Sequence, residues 1–402
     1  MLILYYFLVF AFILGNLASV STGTGVRVSL LDLGVTVFVI GFFLRSKFRR
    51  YALKRYTQLF GPFILVAALS LILQLNHFSP LEIGISSLYL IRFIMYSLIT
   101  IVIAYSSQLK KRVLLGLWFG GVVIGILGLL QYFLYPNLRN LSYLGWDPHE
   151  FRIFSTLLDP NFTGIILVLT LLLSWYSYRK KYLKSQVLFL PSGLTFLALL
   201  LTYSRGSFVA LVSGILIITL LQKKLKLLVV CMIILIGGIG LLPKPTGEGV
   251  NMLRTISILS RLKDNEEALT IFSKAPLLGS GFDTLRFARG QTQIVSGTDD
   301  VSHSGAGFHN SWLFLLVTTG IIGLLAYAWI WKKIFMSSNL LDHELVVVSA
   351  TSVFVHSLFD NSLFYPHVML WMWVLVGYSL HVIPLKHVGR IEESTRSSLA
   401  QG

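Results

Sequence analysis

"GFHNSWLFLLVTTGIIG" (residues 307–323) sets a histidine and an asparagine directly before an apolar run that contains no charged residue. By itself the run could be a buried core helix or a segment that crosses a bilayer. The rest of the chain decides between them. Apolar stretches of about 18 residues or more recur from end to end, each long enough to cross the hydrocarbon layer as a helix. Of 402 residues, 55% are hydrophobic and only 12% charged, against about 25% charged in soluble domains. Mean hydropathy is +0.77. Backbone groups in lipid must be paired within their own segment, so such runs are helices. A transmembrane barrel would alternate apolar and polar residues, and these runs do not.

The expectation is an all-α, polytopic membrane protein with about twelve transmembrane helices in a single membrane domain, 1–402. The expected spans are 2–20, 28–44, 59–75, 84–105, 113–135, 161–178, 187–203, 207–221, 227–242, 309–331, 343–359 and 364–383. The first has no basic region before it and is taken as a retained span. Lys and Arg set the sidedness. Most of the 33 fall after even-numbered spans, in "RSKFRRYALKR" (45–55), "KKR" (110–112), "RKKYLK" (179–184), "KKLK" (223–226), "KK" (332–333) and the tail. The short loops after spans one, three, seven and eleven hold only Arg27 and Arg205. Both termini are therefore expected in the cytoplasm, with 384–402 a cytoplasmic tail. The net charge of +16 reads as a topology signal rather than a nucleic-acid footprint. A single cysteine, Cys231, excludes an intramolecular disulfide.

The largest polar stretch, 243–308, is expected outside the cytoplasm despite its basic residues, because long loops translocate regardless of charge. Within it, 255–276 has apolar residues at 258, 259, 262, 269 and 272, a spacing that fits an amphipathic helix lying on the membrane. Pro276 and the glycines of 277–284 end it. A second outer loop covers about 136–160.

Ionisable residues avoid the middle of the spans. Arg92, Arg152, Arg205, Arg261, His309, His356 and Asp360 gather at the expected outer ends. A charge at membrane depth costs about 2.5–3.5 kcal/mol, so each needs a partner, an aqueous cavity or a function. Arg205, in a turn of a few residues, sits where a lipid phosphate would lie, and a guanidinium grips phosphate bidentately without losing its proton. Arg261 lies in the amphipathic stretch and Arg152 before the sixth span. Asn161 can cap that span. Arg92 is expected to face a cavity or pair with Glu82. His309 can cap or anchor its span with Asn310, or accept a proton from a hydroxyl near neutral pH. Asp299, Asp300, His303 and His309 contain metal-ligand types without a recognised spacing. No nucleotide-binding glycine loop, His-Glu-x-x-His or Gly-x-Ser-x-Gly occurs.

Taken together, "YSRGS" (203–207), "SRLKDNEEALTIFSKAPLLGSGFDT" (260–284) and "HNSWLFLLVTTGIIG" (309–323), with "LLDPNFTG" (157–164) as a weaker match, resemble the O-antigen ligase and Wzy-type polymerase superfamily of membrane glycosyltransferases. The resemblance implies a GT-C-like fold in the bacterial cytoplasmic membrane. It implies transfer of a glycan from undecaprenyl diphosphate to a hydroxyl acceptor, a glycan or glycolipid, on the outer face, with no metal and no cofactor. Carried over, it gives Arg205 and Arg261 the diphosphate and His309 the acceptor, with Arg152, Asn161, Asn310 and Arg92 as further substrate contacts. The chain departs from the family pattern at Thr318, where an acidic residue is common, and at Asn265, where an aromatic one is. The alternatives are a polymerase of the same superfamily and a lipid-linked glycan flippase. Transporters favour inverted repeats, broken helices and midplane sites, and none of these is expected here.

Overall fold

The computed structural model describes residues 1–21, 26–46, 49–144, 146–243, 248–252, 256–291, 308–336 and 343–380. Helices dominate: α1 (Leu2–Leu14), α2 (Leu30–Arg45), α3 (Arg49–Ile72), α4 (Pro80–Ala104), α5 (Ser107–Leu134), α6 (Pro160–Arg179), α7 (Ser185–Leu200), α8 (Arg205–Gln222), α9 (Leu225–Gly240), α10 (Ile256–Lys274), α11 (Leu285–Gln291), α12 (Ser311–Phe335), α13 (His343–His356) and α14 (Pro366–Ser379). Among the described residues the only sheet is a small antiparallel pair, Ser19–Ser21 with Arg27–Ser29.

An α-helix lies within or across every stretch expected to span. By length and composition, six described helices suffice to cross a membrane: α3, α4, α5, α6, α8 and α12. Several shorter apolar helices accompany them. The chain is a multi-pass membrane protein. Its middle is formed by α6 and α14, whose residues are mostly buried, and by the inner part of α4, from Tyr96 to Ala104. By contrast, α9 buries only Leu235 among its residues. Packing of α14 on α4, α13 on α8 and α12 on α3 sets the frame.

Local chemistry explains where helices start. Ser29 and Asp32 form a capping box on α2, and Ser79 and Glu82 form one on α4, each pairing two orphan amides reciprocally. Asp159 caps α6 by accepting from the Asn161 and Phe162 amides at 2.7 and 3.0 Å. The cap of α6 is thus not Asn161 but Asp159, two positions earlier, because Pro160 suits the first helical position, where its missing amide costs nothing. Asn310 caps α12, its side-chain oxygen accepting from the Trp312 and Leu313 amides at 2.9 and 3.2 Å.

One expectation about the helices fails. Within α12, Gly320 adopts φ 67°, ψ −173°, and breaks the helix. The segment 276–281 fills the break. Ser280 and Gly281 donate to the carbonyls of Val317 and Thr318 at 2.9 and 3.1 Å, while Ile321 and Ile322 donate to Pro276 and Leu277 at 3.0 and 3.2 Å. A Cβ on Gly320 would lie 2.1 Å from the Leu277 carbonyl oxygen, and one on Gly279 would lie 2.4 Å from the Thr318 backbone. The backbone groups freed by the kink therefore pair inside the protein, as a low-dielectric setting requires. Thr318, where the chain departs from the family pattern, gives its carbonyl to this crossing, while its hydroxyl donates to the Phe314 carbonyl at 2.7 Å.

Candidate active site

The N-terminal ends of α6, α8 and α12, the C-terminal end of α13 and one side of α10 converge on a group of ionisable side chains. The Ser-Arg-Gly turn is built first by its neighbours. Tyr203, just ahead of it, has φ 51°, a region non-glycine residues rarely occupy. Ser204 caps α8, and its hydroxyl donates to the Asn161 side-chain oxygen at 2.9 Å. Four non-glycine residues of the adjoining 149–158 stretch, His149, Phe151, Ser155 and Leu158, also have positive φ. Such strain persists only where the surroundings over-determine it, and it clusters at functional sites.

Arg152 is buried, 6% exposed. It is fixed by its Nε, which donates to the Thr202 carbonyl at 2.8 Å, while the Ile153 amide donates to Leu201 at 2.9 Å. Arg205 donates through Nη1 to the Met252 carbonyl at 3.3 Å, and the positive charge of Arg261 acts on it. Arg261 comes from α10 and lies 3.7 Å from Asp360 Oδ2. The other oxygen of Asp360 accepts from the Asn161 side-chain amide at 3.2 Å. Asn161 therefore ties α6 to α8 and to the turn beyond α13, a role larger than the cap expected of it.

His309 stands two residues ahead of α12, with its Nδ1 2.5 Å from Asp264 Oδ2. Its ring is 33% exposed and the carboxylate 19%. The Asp264 hydrogen bond raises the His309 pKa above its usual value, against an opposing effect of burial, with Asp360 adding to the rise and Arg261 working against it. Burial pushes the Asp360 carboxyl up to about 7, although Arg261 pulls it down. Asp147 is likewise raised, by burial and by Asp159, while His309 and Arg152 lower it. So Arg152, Arg205, Arg261, His309 and Asn161 share one neighbourhood with Asp147, Asp159, Asp264 and Asp360.

Of the two readings of Arg92, a cavity or Glu82, the pairing is corrected. Arg92 does not pair with Glu82, which is used in the α4 capping box. Its Nε lies 3.0 Å from Asp32 Oδ1, and Nη2 donates to Asp32 Oδ2 at 3.0 Å and to the Arg27 carbonyl at 2.6 Å. Tyr96 donates to the same carboxylate at 3.0 Å. Glu82 stands ten positions earlier on the same helix, about 15 Å away along its axis, so Asp32, brought in by α2, is the carboxylate within reach. This pair borders a separate cavity of about 150 Å³ between α2 and α4. Asn310 caps α12 through its side-chain oxygen, the role also expected of it.

The sequence missed Asp264, and noted Asp360 only as an ionisable residue at a span end. Asp264 was readable: it follows Arg261 by three positions, hence on the same side of a helix. Among the described residues no group of three or more His, Cys, Asp or Glu is arranged to hold a metal ion. Asp299, Asp300 and His303 lie outside the described residues, as do the stretch 297–307 and the tail 384–402.

What these observations define is an integral membrane protein whose helix ends hold arginines, carboxylates and an imidazole together. Residues 190–328 match the family model described as Wzy_C, O-antigen ligase. That match covers about a third of the chain and supports the resemblance to the O-antigen ligase and Wzy-type polymerase superfamily, and Arg205, Arg261 and His309 all fall within the matched residues. A comparison with curated proteins finds no match.

Proposed function

We propose that the protein transfers a glycan from undecaprenyl diphosphate to a hydroxyl on an acceptor glycan or glycolipid at the outer face of the bacterial cytoplasmic membrane, as an O-antigen ligase. The observation that carries the reading is the meeting of Arg205 and Arg261 with His309, contributed by three elements far apart in sequence. In this reading the chain is one membrane domain of twelve spans with both termini cytoplasmic and 243–308 outside, which puts the site at the outer leaflet, where a prenyl-anchored sugar docks.

The chemistry follows from the groups. Two guanidiniums within reach of each other repel, and a diphosphate between them turns that repulsion into attraction. As the bond from the anomeric carbon to the diphosphate oxygen breaks, the leaving oxygen gains charge, which Arg205 and Arg261 stabilise without needing water to reorganise. The acceptor hydroxyl oxygen forms the new bond to the anomeric carbon and gives its proton to His309. A single displacement inverts the anomeric centre. Asp360, bonded to Asn161 and facing Arg261, holds that arginine in place. Arg152, buried against the Ser-Arg-Gly turn, shapes the phosphate end. No step calls on a metal or a cofactor.

A polymerase would differ in using a second carrier-linked glycan as the acceptor. The broken α12 is the one observation that favours a transporter, since half-helices are common there. Its break, however, is filled by the chain's own 276–281 segment. The test uses purified protein in detergent with an undecaprenyl-diphosphate-linked glycan and candidate acceptors, without a gradient. Product formation that falls by about 10²–10³ in Arg205→Ala or Arg261→Ala supports the reading. A requirement for sealed vesicles, or unimpaired turnover in those variants, overturns it.

A further inference from the structure

We infer that Asp264 is a positioning residue for His309, holding the imidazole by Nδ1 so that Nε2 is the nitrogen turned to the acceptor hydroxyl. The inference rests on the reading of His309 as the proton acceptor and extends it to a residue on the loop helix.

His309 precedes the α12 cap, so no helical backbone limits its side chain, and Asn310 is occupied with capping. A free imidazole there would sample several rotamers and both tautomers. The Asp264 carboxylate, 2.5 Å from Nδ1, removes that freedom. An ionised carboxylate only accepts hydrogen bonds, so Nδ1 must carry the hydrogen, and the lone pair of the neutral ring is left on Nε2. Carboxylates and carbonyls that bond the far nitrogen of a working histidine set its tautomer and basicity in the same way.

The position of Asp264 is itself fixed. Along α10, Arg261, Asp264, Ala268 and Ile271 recur at intervals of three and four and share one side. Ala268 and Ile271 are buried at 0% and 5% exposure, and α10 packs on α12. Leu259, Leu262 and Leu269 lie on the other side, 62%, 54% and 56% exposed. The packed end of the inner side thus aims its polar end at the mouth of α12, and one helical turn delivers both the Arg261 cation and the Asp264 anion. The charged groups that act on His309 are Asp264 and Arg261 from α10, Asp360 from beyond α13 and Asp147 from the segment ahead of α6. Removing the Asp264 charge leaves a ring that loses its proton more easily.

The experiment compares the full-length protein with Asp264→Asn and Asp264→Glu variants in detergent, using an undecaprenyl-diphosphate-linked glycan and its acceptor. The Asn variant is expected to lose about 10- to 100-fold in kcat with KM for the lipid donor within about twofold. Its acid limb of kcat against pH should move down by about one pH unit, and Asp264→Glu should recover part of kcat. A kcat within about twofold of the parent overturns the inference, as does a lost kcat with an unmoved acid limb. If the Asn variant does not fold, the parent decides. Diethyl pyrocarbonate modifies neutral imidazole, so the pH dependence of His309 modification, located by mass spectrometry, should have a midpoint above 6.5. A midpoint at or below 6.5 overturns the inference. Should His309→Ala keep normal turnover, the proton-acceptor reading fails instead, an outcome that the modification midpoint does not affect.

Discussion

Arg205 and Arg261 differ in what surrounds them, and the difference predicts how each tolerates change. Arg261 faces Asp360 at 3.7 Å, whereas Arg205 is held by a backbone carbonyl. A lysine at either position keeps the charge but loses the planar fork that matches a phosphate. Arg205→Lys is therefore expected to lose about tenfold or more in kcat/KM for the lipid donor, measured with excess acceptor. Asp360 gives a prediction about stability. Its folded carboxyl titrates at about 7, above the roughly 3.9 of an unfolded chain. The folded protein therefore binds the extra proton between those values, and this part of its stability is present below about pH 4 and lost as pH rises through about 7. Asp360→Asn should flatten that segment of a plot of apparent Tm against pH in detergent. An unchanged slope would show that the carboxyl is not held protonated. Much at this scale was legible, since Arg205, Arg261 and His309 could be picked out by depth and motif. Arg92 shows where legibility ended. Its exposure to a cost was visible, but its partner Asp32 lies on another helix, and only tertiary packing reveals that the charge is already neutralised.

Among the elements, α12 carries the most specific device. Its break at Gly320 is a backbone crossing, so the glycine has two reasons to be glycine: a φ of 67° and the Leu277 carbonyl beside it. Gly320→Ala should lower thermal stability in detergent by an amount equivalent to about 1–3 kcal/mol or more and reduce turnover with it. Gly237→Ala is the control. It lies in α9 with nothing within 4 Å of an added Cβ, so helix propensity alone should make it neutral or slightly stabilising. Equal behaviour of the two variants would sink the crossing as a stability determinant. The apolar period, the Asn310 cap and the amphipathic stretch that became α10 could be read along the chain, whereas the α6 cap was misplaced. The break could not, because a glycine in an apolar helix pattern is ordinary and its partner segment lies some forty residues earlier.

For the molecule as a whole, the distribution of Lys and Arg predicts a sidedness that chemistry can check. In a Cys231→Ser background, Ser273→Cys on α10 should react with a membrane-impermeant thiol reagent added to intact cells. Lys184→Cys, in the turn before α7, should react only after the membrane is opened. The opposite pattern would invert the proposed topology. Class and broad layout were accessible from hydropathy because a bilayer leaves helices as the only solution for such runs. The way the helix ends meet was not, since it depends on packing between elements distant in sequence. The interlock at Gly320 has one more consequence, for biogenesis. Residues 276–281 emerge from the ribosome before the helix that will receive them, and their hydrogen-bonding groups must wait for it. Until α12 has been threaded into the bilayer, the segment that follows α10 lacks the backbone partners it bonds in the finished protein. A half-synthesised copy is therefore expected to leave this joint open, and a finished α12 must still wait for Asp360, which is made later.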